Sequence, residues 1–250
     1  MPRRNALKKG RRSGGLLRSL KWPLFLVLFV IVFPILEVGC VRFINPPRTP
    51  EMLRFEWFGK NEAARKRGLR YEWMPLEEIP RDQIRYIWAS EDQRFFEHDG
   101  IDFDEIELAL KEAEKTGKKP RGASTITMQC ARSLFLWQGR SWIRKALETY
   151  YTVLMELLLS KQRILELYLN VIELGDGIYG VKAGAETWFG RPPSRLTKSQ
   201  MALLAAILPN PKEWNPGKPS SRVLQRQQRV LRLANAADFP DHELPRAPRK

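Results

Sequence analysis

"SWIRKALETYYTVLMELLL", residues 141–159, is the stretch whose periodicity decides the fold. Leu147, Tyr151, Leu154 and Leu158 recur at three- and four-residue intervals, so they share one stripe of a long amphipathic helix. Outward from it, the same period predicts helices over about 82–96, 102–115, 161–170, 179–188, 197–207 and 220–236. Another helix is expected to start near Ser124, because Ser and Thr favour the cap position. "KTGKKPRG" (115–122) is polar and carries Gly and Pro, which reads as a loop. Strand signals are scarce and no internal repeat stands out. The expected fold class is all-α.

The 250 residues carry a formal charge of +15, unevenly distributed. Residues 1–21 form a basic arm with eight Lys or Arg and no acid, while the rest holds 35 bases and 28 acids. That concentration argues against one large nucleic-acid-binding face and suits anionic lipid. Directly after the arm comes "WPLFLVLFVIVFPILEVGCV" (22–41), and twenty helical residues span ~30 Å, the thickness of a bilayer core. A transmembrane helix is therefore expected over 22–42. A cleaved signal peptide fits less well, since the apolar run is long and no small-x-small site follows it. A lipoprotein signal ending at Cys40 is disfavoured by Glu37, which stands where an aliphatic residue belongs. The basic flank predicts a cytoplasmic N-terminus and an extracytoplasmic domain. "NPPRTPEM" and its surroundings (43–69) read as an extended stalk, 70–237 as the folded domain and 238–250 as a polar tail. Cys40 and Cys130 lie in different regions, so no disulfide framework is expected, and His98 and His242 have no zinc-site spacing.

Three polar islands interrupt the helical background. In "EDQRFFEHDGID" (91–102), Glu91 falls on the stripe of Ile84, Ile87, Trp88 and Phe95, with Asp92 off to one side and Asp82 placed to cap the helix. A structural ion pair and a carboxylate working as acid or base in a partly desolvated cleft both use such a position, and spacing alone does not decide between them. "GASTITMQCARSLFL" (122–136) opens with a Ser/Thr/Gln cluster at a helix start, which suits either an anion or a plain cap. In "GRSWIRKALE" (139–148), Arg144 and Lys145 sit one turn before Glu148 on the same face. That spacing gives an intrahelical ion pair, worth roughly a few tenths of a kcal/mol. It also gives a carboxylate and two bases able to hold a metal-bound pyrophosphate.

"ASEDQRFFEHDGID", the Ser/Thr island with "LFLWQGRSW" and "RKALE", "SKQRILELYLN", "GDGIYGVKAGAETWFG" and "LTKSQMALLAAILPNP" occur in order over roughly residues 70–235. Together they resemble the family 51 peptidoglycan glycosyltransferases. The resemblance implies a lysozyme-like helical glycosyltransferase domain behind the single membrane helix. It implies inverting polymerisation of lipid II into linear glycan strands, with release of undecaprenyl pyrophosphate. By that resemblance Glu91 is the base that takes the proton from the acceptor 4-hydroxyl. Glu148 assists the departing pyrophosphate through a divalent cation, Mg or Mn, and no organic cofactor is implied. Arg94, Arg132, Arg140, Arg144 and Lys145 match basic positions around the diphosphates. Ser124, Thr125 and Gln129 match the polar cradle, and His98 supports the first island. The implied partners are lipid II, the growing glycan, the membrane and other cell-wall synthases or division proteins, with no nucleic acid. The implied location is the bacterial inner membrane, with the catalytic domain periplasmic.

One residue departs from the pattern. The family usually has two glutamines after the Ser/Thr cluster, and the first is here Met128, whose thioether cannot donate a hydrogen bond. A glycan-cleaving hydrolase or lytic transglycosylase is an alternative reading, disfavoured because cleaving a neutral glycosidic bond leaves no pyrophosphate for the bases around Glu148. An inactive membrane-anchored glycan-binding scaffold is another, supported by Met128 alone. A penicillin-binding transpeptidase is not indicated. "KTG" (115–117) sits in a polar loop, and no serine has a lysine three positions on. Trp137 and Trp142 are expected at the membrane interface, whereas core packing serves Leu134 and Leu136 equally well.

Overall fold

The computed structural model describes residues 15–139 and 141–246; residues 1–14 of the basic arm, Arg140 and residues 247–250 lie outside the described residues. Helix α1 (Gly15–Phe43) contains a 23-residue stretch, Lys21–Phe43, long and apolar enough to cross a membrane. Beyond it the region expected as an extended stalk is instead two short packed helices, α2 (Pro50–Phe58) and α3 (Glu62–Arg67). The prolines there mislead, because Pro50 occupies the first turn of α2 behind the Thr49 cap, a position proline favours. Asn61 caps α3 in the same way, and Met52, Phe55 and Ala64 are buried.

The domain core is helical. Helices α4 (Arg81–Glu91), α5 (Phe103–Thr116), α6 (Ile126–Phe135), α7 (Trp142–Leu158) and α8 (Lys161–Val171) precede α9 (Val181–Phe189), α10 (Lys198–Ala206) and α11 (Ser221–Ala236). Helix α6 packs on α7 and α8, while α4, α10 and α11 form a second group. Both groups share one apolar core, in which Ile164, Leu165, Leu167 and Tyr168 of α8 are fully buried. A small sheet of order β1-β3-β2 closes one edge: β1 (Arg70–Tyr71) runs parallel to β3 (Ile178–Tyr179), which is antiparallel to β2 (Glu173–Gly175). The first two residues of the helix expected over 179–188 are displaced accordingly, since Ile178 and Tyr179 pair as a strand. The tip of the Phe55 ring, on α2, abuts the hairpin turn at Gly177. A Cβ at Gly177 would come 2.3 Å from that ring, and Gly177 has φ +75°.

Two boundaries differ from expectation for identifiable reasons. Helix α4 starts after Pro80 without a side-chain cap, so Asp82 lies in its first turn, where it favours the helix dipole. It stops at Glu91 rather than near residue 96, because Asp92 turns inward to bond other elements. At the other end of the chain, half of the expected polar tail is packed. Phe239 packs against Trp88, ring centroids 5.1 Å apart and tilted by 59°, and Arg81 Nη2 donates to the Pro245 carbonyl at 2.5 Å.

Helix α1 and the residues just after it are laced to the domain along α7 and the start of α8. Tyr150 Oη donates to the Ile31 carbonyl at 3.1 Å, and Tyr151 Oη donates to the Glu37 carboxylate. Arg163 Nε donates to the Val41 carbonyl at 2.9 Å, and its Nη2 to Asn45 Oδ1 at 2.8 Å. Val38 and Val41 belong to the core cluster, whereas Phe25, Leu28 and Phe29 are exposed.

Candidate active site

The α4–α6 junction is built around two adjacent carboxylates with different environments. Asp92 is buried, not off to one side. Its Oδ2 accepts from the Ile126 N–H at 2.9 Å, at the first turn of α6, and both oxygens meet His98 Nε2 at 3.1–3.2 Å. His98 Nδ1 accepts from the Gly100 N–H at 3.1 Å, so Nε2 carries the proton and donates to Asp92. The anion that the start of α6 favours is therefore the protein's own aspartate. Thr125, not Ser124, caps α6: its Oγ1 accepts from the Met128 N–H at 3.1 Å and donates to the Gly100 carbonyl at 2.6 Å. Gly100 has φ +87°, and a Cβ there would meet Thr152 and Glu156 of α7 within 2.8 Å, so the loop leaving the junction sits flush on α7.

Glu91, the last residue of α4, keeps 12% of its side chain exposed. Its Oε2 accepts from Gln129 Nε2 at 3.0 Å and its Oε1 from Ser90 Oγ at 2.9 Å. Arg226 Nη2 of α11 lies 3.6 Å from Oε1. Gln129 is itself oriented, because Tyr168 Oη donates to its Oε1 at 3.0 Å. Burial pushes the Tyr168 hydroxyl well above its ordinary pKa, and the nearby Glu91 charge pushes it further, so it stays a donor. A donor at Oε1 obliges the amide to present its NH₂ group to Glu91. The chain Tyr168–Gln129–Glu91 thus joins α8, α6 and α4. Neither Tyr168 nor Arg226 stood out in the sequence, since one reads as core apolar and the other as one of several helical arginines.

The second centre lies on α7. Glu148 is 1% exposed and takes Lys145 Nζ at 2.7 Å on Oε1 and Arg144 Nη1 on Oε2. Arg144 is also buried, and its Nε–H is enclosed without a hydrogen-bond partner. Oxygen donors of this kind suit a hard divalent cation, but Glu148 is the one carboxylate in this centre and both its oxygens already carry cations. The set fits a cation carried in with phosphate oxygens, not one held by the protein alone.

The remaining expected residues are distributed unevenly. Arg132 on α6 is half-buried near Tyr168, and Ser124 stands at the mouth, its carbonyl 3.4 Å from Gln129 Nε2. Arg94 is engaged within the protein, by Asp104 at 2.8 Å, Asp102 at 3.0 Å and Glu97 at 3.2 Å, and fastens the turn to the start of α5. Arg140 lies outside the described residues. Met128 is buried, so no polar side chain reaches the cradle from that position. Leu134 and Leu136 are core residues, while Trp142 is 90% and Trp137 49% exposed.

Comparison with known proteins gives the family. The sequence profile of the family described as Transglycosylase matches residues 60–235, which spans both carboxylate centres and begins just before α3. A biosynthetic peptidoglycan transglycosylase of Bdellovibrio bacteriovorus is 44% identical over 211 residues, 84% of each chain. One of Caulobacter vibrioides is 43% identical over 227 residues, covering 91% of this chain and 95% of the relative. Another, from Bacteroides thetaiotaomicron, is 43% identical over 227 residues, or 90% and 91% of the two chains. With the match running unbroken through the Glu91 and Glu148 centres at this level of identity, the chain belongs to the transglycosylase family.

Proposed function

We propose that this chain polymerises lipid II into linear peptidoglycan strands, with Glu91 as the general base. The chain is a peptidoglycan glycosyltransferase, and the cleavage and scaffold readings are not favoured. The observation that carries the base assignment is the oriented amide: Tyr168 fixes Gln129 so that its NH₂ faces Glu91, an arrangement that suits an ionised, proton-accepting carboxylate. A sugar hydroxyl is a very weak acid and needs such a positioned acceptor as it attacks.

In the reaction the acceptor 4-oxygen forms a bond to C1 of the growing chain, on the face opposite the departing oxygen. The C1–O bond to the pyrophosphate breaks with inversion, and the hydroxyl proton passes to Glu91. The charge that develops on the leaving pyrophosphate is met by Arg144 and Lys145, held in place by Glu148, with Arg132 nearer the base. Glu148 would hold a Mg or Mn ion, which would supply Lewis-acid neutralisation of the leaving group's charge. Ser124 and Gln129 stand beside Glu91, where they would meet the substrate, and His98 and Thr125 brace the junction.

The basic N-terminal flank of the span supports an orientation with the N-terminus cytoplasmic and the domain periplasmic at a bacterial inner membrane. From Ile31, where Tyr150 docks, to Phe43 is about 18 Å of helix. That depth supports a domain seated in the outer leaflet, with Trp142 and Ile143 in the lipid.

The test is polymerisation of labelled lipid II by the whole chain in detergent, with the product challenged by lysozyme. Wild type is expected to make lysozyme-sensitive polymer, and Glu91→Gln to lose about 10²-fold or more. Undiminished polymer from the variant overturns the base assignment. Shortening of preformed glycan without polymer would instead establish cleavage. Chelation by EDTA is expected to slow the wild type, with Mg or Mn restoring it.

A further inference from the structure

Helix α11 carries Arg222, Arg226, Arg229 and Arg232, and no Asp or Glu occurs between Trp214 and Ala237. At 100° per residue, Arg222, Arg226 and Arg229 fall within about 60° of one another, while Arg232 lies about 60° beyond Arg229 and about 120° from Arg226. The first three occupy one flank of the buried stripe formed by Val223, Gln227, Val230 and Ala234. The direction that flank faces is fixed by its middle member, since Arg226 Nη2 lies 3.6 Å from Glu91. Arg222 and Arg229 are exposed, and among the described residues neither has a carboxylate within ion-pair distance. The Arg222 guanidinium lies over the Trp214 ring, 5.4 Å from its centroid. Arg229 is close enough to Arg226 for their charges to repel. A row of like charges beside a reactive carboxylate, uncompensated from within, lacks an anion.

We infer that this row is a rail for the carboxylates of the peptide borne by the acceptor substrate, an inference that rests on the reading of Glu91 as base. Peptidoglycan precursors carry their peptide on the sugar next to the one that presents the attacking hydroxyl. Docking that hydroxyl at Glu91 brings the peptide alongside α11. The seven residues from Arg222 to Arg229 advance about 10 Å along the helix. Three extended peptide residues cover about the same length, which is the separation of an acidic side chain near the middle of the peptide from its free C-terminus. A pyrophosphate, by contrast, is compact and asks for donors converging on one point, as Arg144 and Lys145 do at Glu148. Guanidiniums spread along a helix flank suit an extended polyanion.

The experiment uses the full chain and the double variant Arg222→Gln/Arg229→Gln, which leaves Arg226 and Glu91 in place. Binding of soluble disaccharide-pentapeptide is measured by calorimetry, with the peptide carboxylates free or amidated, and turnover is measured with the two matching forms of lipid II. Exposed charge pairs are individually weak, so the wild type is expected to favour the free-carboxylate form by about three- to tenfold. The double variant is expected to lose that preference while matching the wild type on the amidated form, and added salt is expected to erase the wild-type preference. Equal binding of both forms by the wild type overturns the rail. An equal loss on both forms in the variant also overturns it, pointing to substrate phosphate or lipid headgroups instead. Discrimination in binding without any polymerisation leaves the rail standing and removes the glycosyltransferase reading.

Discussion

Tyr168 has no reach to substrate except through Gln129, and that makes its hydroxyl a quantitative probe of the base. In Tyr168→Phe the ring still fills its fully buried site, but Gln129 Oε1 loses the donor 3.0 Å away. The net worth of such a bond is about 1 kcal/mol, which sets the expected loss of stability. For activity, the amide loses the constraint that kept its NH₂ toward Glu91, retaining only the long 3.4 Å contact to the Ser124 carbonyl. Losing a constraint of about 1 kcal/mol corresponds to a roughly three- to tenfold fall in kcat. Gln129→Leu removes the bond to the carboxylate itself, worth roughly 1.5–3 kcal/mol for a charged partner, and so costs about 10- to 100-fold. Because Tyr168 acts through Gln129, the double variant should be no slower than Gln129→Leu alone, within about twofold. The assay is lipid II turnover at saturating substrate across the four proteins, with thermal melts to confirm folding. Multiplicative losses would refute the relay, and a Tyr168→Phe defect as deep as that of Glu91→Gln would make the tyrosine a direct participant.

Other predictions follow from the buried charges and the close contacts. Burial pushes the Glu173 carboxyl up to about 7, against the pull of Lys212, whose Nζ lies 3.3 Å from Oε1 but off the hydrogen-bonding direction. An acid raised on folding binds its proton more tightly in the folded chain, so its contribution to stability is full below the unfolded value near 4.5 and is lost as pH rises to about 7. Glu173→Gln should therefore raise the denaturation midpoint at pH 8, by up to roughly 3 kcal/mol, and leave it unchanged near pH 4; an equal shift at both pH values would contradict this. Arg144→Gln should destabilise the chain by about 3 kcal/mol by leaving Glu148 under-compensated, and adding Glu148→Gln should recover part of that loss in the same melts. Gly177→Ala should lower the melting temperature, because the new methyl meets the Phe55 ring and the backbone there has φ +75°; Phe55→Leu should relieve part of the defect. A nitroxide at Trp142→Cys, in a Cys40→Ser background, should be shielded from aqueous relaxation agents and reached by oxygen in nanodiscs; the reverse pattern would lift this face out of the lipid.

The parts of this fold that could be read from the chain are those where one period persists. Helices α7, α8 and α11 came within two residues of their expected bounds because three or more turns of apolar stripe and a Ser cap agree at each, and the shorter α10 did so through its Thr197 capping box. Helix α4 overran because Phe95 continues the stripe in projection, and nothing local reveals that Asp92 leaves the helix to serve His98 and Ile126 thirty-four residues on. Arg94 reads as a free base in the sequence and proves to be held by three acids three to ten residues on, which come together only because the chain turns between α4 and α5. The stalk was misread because proline starts helices as readily as it ends them. At the site, Glu91 is marked by its place on an apolar stripe and Glu148 by the two bases one turn before it, while Gln129 stands out only through the family resemblance. Tyr168 is invisible by the same test, since a buried tyrosine in "ELYLN" continues the core pattern and only its hydroxyl is exceptional.

The lacing of the membrane helix has a consequence for how the product leaves. A domain tied by a loose linker would tumble over the bilayer and release glycan in any direction. Here the contacts at Ile31, Glu37, Val41 and Asn45 fix both the tilt and the azimuth of the domain about its own anchor. The nascent strand therefore emerges on one bearing relative to the spanning helix, and whatever turns that helix within the plane of the membrane steers the heading of the polymer.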